Sequence, residues 1–249
     1  MNKTTPSQKM YDNLASGYRD YSRGRMLYLD AVDSVVKQYL TPNCSVIDFG
    51  SGDGVRISNI VKNITSKLCL VENSNNMLTK IHEQYPHTEV LNQDFSAINF
   101  QTNGKYDIAT CLWNVLGHLG DKEQVLSGLK NIRKSIQPDG IVILDVNNRH
   151  NISQYKWKAV RNIIKDFFIY KFENGDIKFN ISVNDEQIPS CVHIFNKYEI
   201  ENLINMAGFE IKSKFYINYT NGNIKKSALF GQLCYILTIK EQVFTVHPR

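Results

Sequence analysis

A glycine-rich turn with two carboxylates is the feature of this sequence most able to do chemistry. Residues 46–54 read VIDFGSGDG, an apolar run that leads into glycines at positions 50, 52 and 54, and a helical pattern follows. Glycine adopts positive φ freely and lets a ligand approach the main chain, and a helix that begins there offers unpaired N–H groups. This arrangement predicts a site for a nucleotide-like ligand at the carboxyl end of a strand.

The charges in this turn distinguish between two kinds of nucleotide ligand. The dinucleotide fingerprint is Gly-x-Gly-x-x-Gly, in which the second glycine makes room for a pyrophosphate. Here single residues separate the glycines, and the carboxylates of Asp48 and Asp53 would repel a pyrophosphate. Carboxylates suit a ligand that carries an ammonium and a sulfonium, so the turn favours S-adenosyl-L-methionine over NAD.

The segment from Cys44 to Val146 resembles the class I S-adenosylmethionine-dependent methyltransferases, especially the branch that acts on small molecules. The family pattern Asp-x-Gly-x-Gly-x-Gly is matched without departure from Asp48 to Gly54. The resemblance implies S-adenosyl-L-methionine as cofactor and S-adenosyl-L-homocysteine as product. The cofactor-binding residues that it implies are Asp48, Gly50, Ser51, Gly52, Glu72, Asn73, Met77, Asp94, Phe95 and Trp113.

Each of the later positions has a role that the resemblance suggests. Glu72 ends the second predicted strand, where the family places an acidic residue that binds both ribose hydroxyls through charge-assisted hydrogen bonds. Met77 would pack on adenine, and Asp94 would accept a hydrogen bond from the adenine amino group beside the apolar Phe95. Trp113 ends the fourth predicted strand, in the segment that runs beneath the cofactor toward the substrate.

Candidate catalytic residues are fewer, because methyl transfer mainly requires alignment of the acceptor and exclusion of water. His118 is the candidate base, and a histidine that only packs in its loop is the competing interpretation. By resemblance, Tyr18 or Tyr21 of an N-terminal helix would face the methyl group, with plain helix packing as the alternative. A guanidinium suits the methionine carboxylate. Arg25 is the candidate for that contact, although the spacing does not separate it from Arg23.

Short apolar runs alternate with amphipathic stretches through most of the chain, which is typical of a parallel sheet with helices on both faces. The predicted strands are 45–49, 68–71, 88–91, 106–113, 141–146, 209–219 and 232–240, and the predicted helices are 8–21, 27–40, 56–64, 77–85, 123–136 and 197–207. We expect an α/β fold: a Rossmann-like, doubly wound, seven-stranded, mostly parallel sheet with an antiparallel C-terminal edge strand.

Residues 150–195 interrupt this alternation and predict a small antiparallel β insert. An aromatic strand over 167–172, the turn signal Asn174-Gly175 and an alternating strand over 177–183 suggest a hairpin, with 192–195 as a third strand. We therefore expect one domain with four parts. They are a helical lid over 1–42, a cofactor-binding core over 43–149, a substrate cap over 150–195, and a C-terminal helix with edge strands over 196–249.

Composition and charge limit the kinds of binding partner that we expect. The net charge of +5 is spread along the chain rather than clustered, so no nucleic-acid partner is expected. No apolar run approaches the roughly 20 residues that span a bilayer, which predicts a cytoplasmic protein without a membrane partner. Neither the five cysteines nor the six histidines show metal-ligand spacing, so no metal is expected. The oligomeric state is left open, with a homodimer among the alternatives.

The sequence thus predicts an enzyme that transfers a methyl group to a nitrogen or oxygen of a small-molecule acceptor. An RNA or protein methyltransferase is the first alternative, although residues 114–117 read NVLG where many base-amino methyltransferases carry Asn/Asp-Pro-Pro-Tyr/Phe. A protein that binds S-adenosylmethionine without catalysis is the alternative of a different class.

Overall fold

A computed structural model describes residues 6–102, 105–183 and 186–240 of the chain. The strands are β1 Val46–Phe49, β2 Leu68–Glu72, β3 Glu89–Asn92, β4 Tyr106–Cys111, β5 Ile136–Val146, β6 Asp176–Val183, β7 Glu186–His193, β8 Phe209–Ile217, β9 Ile224–Lys225 and β10 Gln232–Ile239. The α-helices are α1 Pro6–Leu14, α2 Tyr18–Arg23, α3 Met26–Lys37, α4 Val55–Val61, α5 Asn75–Gln84, α6 Lys122–Ser135, α7 Ile152–Tyr155, α8 Trp157–Phe168 and α9 Lys197–Met206.

Eight strands form one sheet in the order β3-β2-β1-β4-β5-β10-β8-β9. The first five run parallel to one another, whereas β10 is antiparallel to both β5 and β8. The strand order reverses between β1 and β4. In open α/β sheets the crevice outside the carboxyl ends of the strands at such a reversal is where ligands bind.

The predicted fold class is confirmed, and the structure refines the place of the last strand. The antiparallel strand β10 lies inside the sheet, between β5 and β8, and the two-residue β9 forms the edge. Residues 232–237 of β10 are all buried, as expected for a strand that pairs with a neighbour on each edge and has packed side chains on both faces.

Apolar side chains fill both faces of the sheet. One core cluster joins the strands to α6 and α9, and the other joins them to α3, α4 and α5. The five cysteines are free thiols, and Cys191 is the only one of them that is not buried. No helix in the described ranges is long and apolar enough to cross a bilayer.

The predicted N-terminal helix over 8–21 is divided in two. Helix α1 ends at Leu14, a single 3-10 turn covers Ala15–Gly17, and α2 begins at Tyr18. Glycine destabilises a helix interior because it loses more backbone entropy than other residues when it becomes helical. The break at Gly17 is consistent with this cost. Helix α1 then packs against α5 on one side and β7 on the other.

The prediction for the insert is wrong in its first half. Residues 167 and 168 end helix α8 rather than begin a strand, and Phe172–Gly175 form a 3-10 turn. The hairpin consists of β6 and β7, so the predicted third strand over 192–195 is in fact the end of β7 and the residues after it. Asn174 lies in this 3-10 turn instead of a hairpin turn. Its side-chain amide stabilises the turn by donating to Asp166 at 3.0 Å and to the Ile169 carbonyl at 2.9 Å.

Candidate active site

A pocket opens at the carboxyl ends of β1 to β4, below the N-terminal helices. Most of the residues predicted from the sequence meet there. The predicted residues that line it are Tyr18, Asp48, Gly50, Ser51, Gly52, Glu72, Asn73, Asp94, Phe95, Trp113 and His118. The pocket lies where the strand order reverses, as expected for a ligand site in such a sheet.

The glycine-rich turn forms the floor of the pocket. Gly50, Gly52 and Gly54 have φ of +70°, +58° and +73°, a region that side chains with a Cβ rarely adopt. The amide of Gly50 donates to the Val71 carbonyl at 2.9 Å, which fixes the turn to the end of β2. A Cβ at Gly52 would lie 3.2 Å from the Tyr18 hydroxyl, so any larger residue there would intrude between the turn and α2.

Glu72 is held almost entirely by backbone groups. Its Oε2 accepts from the amide of Gly52 at 2.8 Å, and its Oε1 accepts from the amides of Asn73 at 2.9 Å and Ser74 at 2.8 Å. A carboxylate has about four acceptor positions, so about one is left for a ligand hydroxyl. Burial raises the pKa of Glu72 above its usual range, although the three amides oppose that shift.

The remaining carboxylates give the pocket an acidic lining. Asp48 accepts a hydrogen bond from the Thr110 hydroxyl at 2.5 Å, and burial raises the pKa of Asp48 to about 6. Asp53 and Asp94 also line the pocket, and Asp53 pairs with Arg19 at 3.1 Å. The guanidinium of Arg56 also reaches this lining, where it pairs with Asp33 at 2.6 Å. Negative charge near neutral pH suits a cationic ligand better than a phosphate.

Helix α1 covers the pocket and is tied to its rim. The side-chain amide of Gln8 donates to the Asn73 carbonyl at 2.7 Å. Asp12 accepts from the Ser74 hydroxyl at 2.7 Å and from the amide of Asn76 at 3.2 Å, at the first turn of α5. These contacts place Gln8 in the pocket wall directly above the Glu72 loop.

A pair of polar rings forms the opposite wall. The Tyr11 hydroxyl and Nε2 of His118 share a hydrogen bond of 3.1 Å, and their rings meet edge to face at 5.2 Å. Burial lowers the pKa of His118 to about 4, so the imidazole is neutral at physiological pH. Its Nδ1 is buried without a hydrogen-bond partner among the described residues. Tyr18 extends this wall toward Trp113, with 5.9 Å between the ring centroids.

The segment after β4 has a strained backbone that places Trp113 at the pocket. Trp113 and Asn114 have φ of +59° and +60°, although neither is glycine. Asp145 accepts from the amide of Trp113 at 2.9 Å and also from the Tyr28 hydroxyl. The Asn114 side-chain oxygen accepts from the backbone amide of Asn147 at 2.9 Å, so the Asp145 side chain and the backbone that follows β5 stabilise this turn.

Two predicted residues, Met77 and Arg25, are not among the described residues that line the pocket. Met77 is fully buried in the first turn of α5. The guanidinium of Arg25 lies over the Tyr219 ring, 5.3 Å from its centroid. Arg23, the other candidate, pairs with Asp20 at 3.0 Å. The side chain of Tyr21 lies outside the described part of the structure.

Gln8, Tyr11 and Arg56 line the pocket although the sequence did not single them out. Tyr11 shares the helical spacing of the residues around it, and that spacing alone cannot distinguish a pocket residue from a packed one. Arg56 is the second residue of α4, two positions after the family pattern ends at Gly54, so its place next to the glycine-rich turn could have indicated it.

Comparison with known proteins agrees with this geometry. A family model described as a methyltransferase domain matches residues 20–214. No curated protein matches the sequence significantly. Among solved structures of similar fold, a methyltransferase from Streptomyces caelestis is 14% identical with a TM-score of 0.67, covering 97% of this chain and 100% of its own.

Two further structures are similar to the chain over most of its length. An S-adenosylmethionine-dependent methyltransferase from Clostridium acetobutylicum is 16% identical, with a TM-score of 0.63 and coverage of 94% of this chain and 97% of its own. A sugar N-methyltransferase from Streptoalloteichus is 13% identical, with a TM-score of 0.60 and coverage of 90% and 91%. The chain belongs to the methyltransferase-domain family and is a class I S-adenosylmethionine-dependent methyltransferase.

Proposed function

We propose that the protein transfers a methyl group from S-adenosylmethionine to the nitrogen of a small amine. The observation that carries this proposal is the neutral Tyr11–His118 pair on the wall of a covered, acidic pocket. We divide the pocket into a cofactor half, formed by the glycine-rich turn with Asp48 and Glu72, and an acceptor half, formed by Tyr11 and His118.

The cofactor half fits a cationic nucleoside. The bare backbone at Gly50 and Gly52 leaves room that a Cβ would fill, and Glu72 keeps an acceptor position for a ribose hydroxyl. Asp48 would support an ammonium group, and Arg56, which lines the pocket, is the candidate partner of the cofactor carboxylate in place of Arg25. When bound, the cofactor supplies an electrophilic methyl group on a sulfonium together with its own leaving group.

The cover over the pocket favours a compact acceptor. Helix α1 contacts β7, and β7 contacts the turn that carries His118, so the insert supports both the lid and that turn, although no described residue of β6 or β7 lines the pocket itself. A covered site excludes water and holds the reacting atoms in line, which is most of what this reaction needs. We infer that residues 6–23 act as a lid that opens to admit the acceptor.

The neutral state of the His118 imidazole favours a nitrogen acceptor over an oxygen acceptor. An imidazole whose conjugate acid has a pKa of about 4 is a weak base at physiological pH and cannot readily remove a proton from an alcohol. A neutral amine needs no such base, because its lone pair attacks directly and the proton leaves afterwards. The Tyr11–His118 pair would then orient the amine rather than deprotonate it. The sugar N-methyltransferase of similar fold acts on an acceptor of this kind.

Paired acceptors test this proposal. Amino sugars and simple primary amines would each be compared with the alcohol of the same carbon skeleton, using labelled S-adenosylmethionine and the full chain. We expect label in the amines and none above background in the alcohols. Transfer to the alcohols alone would contradict the choice of nitrogen and would require a base other than neutral His118.

A further inference from the structure

Helix α8 turns two polar side chains, Asn162 and Asp166, toward the protein. Asp166, on that side, accepts from Arg149 Nε at 2.7 Å and shares a hydrogen bond of 2.8 Å with His150 Nε2. Asn162, one turn earlier, donates to the Arg149 carbonyl at 3.5 Å. Ala159 is the only buried residue of the helix. An ordinary surface helix has the opposite arrangement, with apolar residues inside and polar residues outside.

Buried ion pairs fix this orientation. Arg149 is almost fully buried and also donates to Glu199 Oε2 at 2.5 Å, on α9. The side-chain amides of Asn174 and Asn196 both donate to Asp166 at 3.0 Å. Removing one partner from a buried network leaves an uncompensated charge, so rotation of α8 to hide its apolar side would be strongly opposed.

The opposite face of α8 exposes large apolar side chains to solvent. Trp157, Ile164 and Phe168 are spaced by seven and four residues, so they form one stripe along the helix. Trp157 is 73% exposed, Phe168 75% and the neighbouring Phe167 81%. Ile169, also exposed, continues the patch. Contiguous apolar surface of this kind marks an interaction site.

Basic residues surround the apolar stripe. Those exposed between positions 156 and 171 are Lys156, Lys158, Arg161, Lys165 and Lys171. The one acidic residue in that segment is Asp166, which faces inward and is already paired with Arg149. The surface therefore combines projecting aromatic rings with positive charge and no exposed carboxylate of its own.

We propose that the outward face of α8 docks on an anionic lipid surface. Trp and Phe on one side of a helix, with Lys and Arg beside them, are the features of helices that lie in the membrane interface. The rings project from the protein instead of lining a groove, and acyl chains accommodate such side chains. A symmetric contact between two copies would bring the same basic residues together, which disfavours self-association. The sequence predicts no membrane partner because no apolar run is long enough to span a bilayer, but a helix that lies on the membrane surface needs no such run.

Vesicle co-sedimentation of the full chain tests the proposal. Vesicles of phosphatidylcholine with about one third phosphatidylglycerol would be compared with pure phosphatidylcholine. We expect binding to the anionic vesicles, at least about tenfold weaker binding to the neutral ones, and loss of binding in 1 M salt, where the Debye length falls to about 3 Å. Equal binding to both compositions, or binding to neither, would overturn the proposal.

Matched variants separate this surface from the rest of the protein. Trp157→Ser with Phe168→Ser should reduce partitioning about tenfold or more, and Arg161→Gln with Lys165→Gln should remove the preference for anionic lipid. Ile98→Ser is the control, because Ile98 is 96% exposed on another part of the surface and its variant should bind as wild type. Thermal unfolding checks that each variant is folded. If light scattering shows a wild-type dimer that Trp157→Ser/Phe168→Ser dissociates, a second copy covers this face and the lipid proposal is wrong.

Discussion

The two halves of the pocket are built in different ways. The cofactor half lies at the ends of strands and is held mainly by backbone hydrogen bonds. Three amides donate to Glu72, and the Val71 carbonyl accepts from the amide of Gly50. The acceptor half consists of side chains from separate elements, with Tyr11 on α1 meeting His118 more than 100 positions later. Backbone sites tolerate little change, whereas a site made of side chains can change its ligand by single substitutions.

The largest expected effect tests the rigidity of the cofactor half. Gly52→Val should abolish binding of S-adenosylhomocysteine, because a side chain at φ +58° is strained and its Cβ would already lie 3.2 Å from the Tyr18 hydroxyl. Calorimetry measures the binding. Gly24→Val is the matched control, since a Cβ at Gly24 meets nothing within 4 Å, and that variant should bind normally. Retained affinity in Gly52→Val would show that the ligand lies elsewhere.

Glu72→Ala should have the next largest effect. Loss of a hydrogen bond to a charged group costs about 1.5–3 kcal/mol, which corresponds to roughly 10- to 150-fold weaker binding of S-adenosylhomocysteine. Calorimetry at pH 7 gives the dissociation constant, and Glu210→Ala, at an exposed position on β8, serves as the control. An unchanged constant would mean that Glu72 only holds its own loop.

The sheet and the cofactor half could be predicted from sequence because the information there is local. The strand, the glycines and the carboxylates of residues 46–54 lie within nine positions, and backbone geometry follows from them. The sequence-based prediction placed the arginine after the N-terminal helix, at Arg25 or Arg23, and did not consider Arg56. The structure instead shows Arg25 over Tyr219 and Arg56 in the pocket wall.

The acceptor half could be predicted only in part because its contacts join distant segments. Tyr11 has the same spacing as the packed residues of α1, and no local pattern shows that its hydroxyl meets His118. The predicted strand in the first half of the insert is wrong for a related reason. The aromatic run over 167–172 resembles a strand, but Asp166 and Asn162 pair with Arg149, and these long-range ion pairs and hydrogen bonds keep the preceding residues helical.

A smaller effect should distinguish the acceptor half of the pocket from its cofactor half. Tyr11→Phe removes the hydroxyl that meets His118 and should lower kcat about fivefold, the usual value of one neutral hydrogen bond. Affinity for S-adenosylhomocysteine should stay within a factor of two of wild type. Steady-state kinetics with the best amine acceptor, beside calorimetry, measures both quantities. Tyr198→Phe, at an exposed position, is the control. A large loss of cofactor affinity in Tyr11→Phe would contradict the division into halves.

The last of these predictions concerns the pH dependence of stability. The pKa of His118 is about 4 in the folded protein, below its usual 6.5. Between these values the unfolded chain binds a proton that the folded protein does not, so this contribution makes stability fall as the pH drops. His118→Asn should therefore lose less stability than wild type between pH 7 and 4.5 in urea unfolding. His87→Asn, at an exposed position, is the control. An unaltered pH dependence would show that the imidazole of His118 titrates normally.

The identity of the labelled product tests the central claim most directly. Cell extract would be incubated with the full chain and tritiated S-adenosylmethionine, then separated by size, with Gly52→Val as the blank. The account predicts label in the small-molecule fraction, in compounds that carry a basic amine. Label confined to RNA or protein would contradict it and would identify the chain as a methyltransferase of polymers.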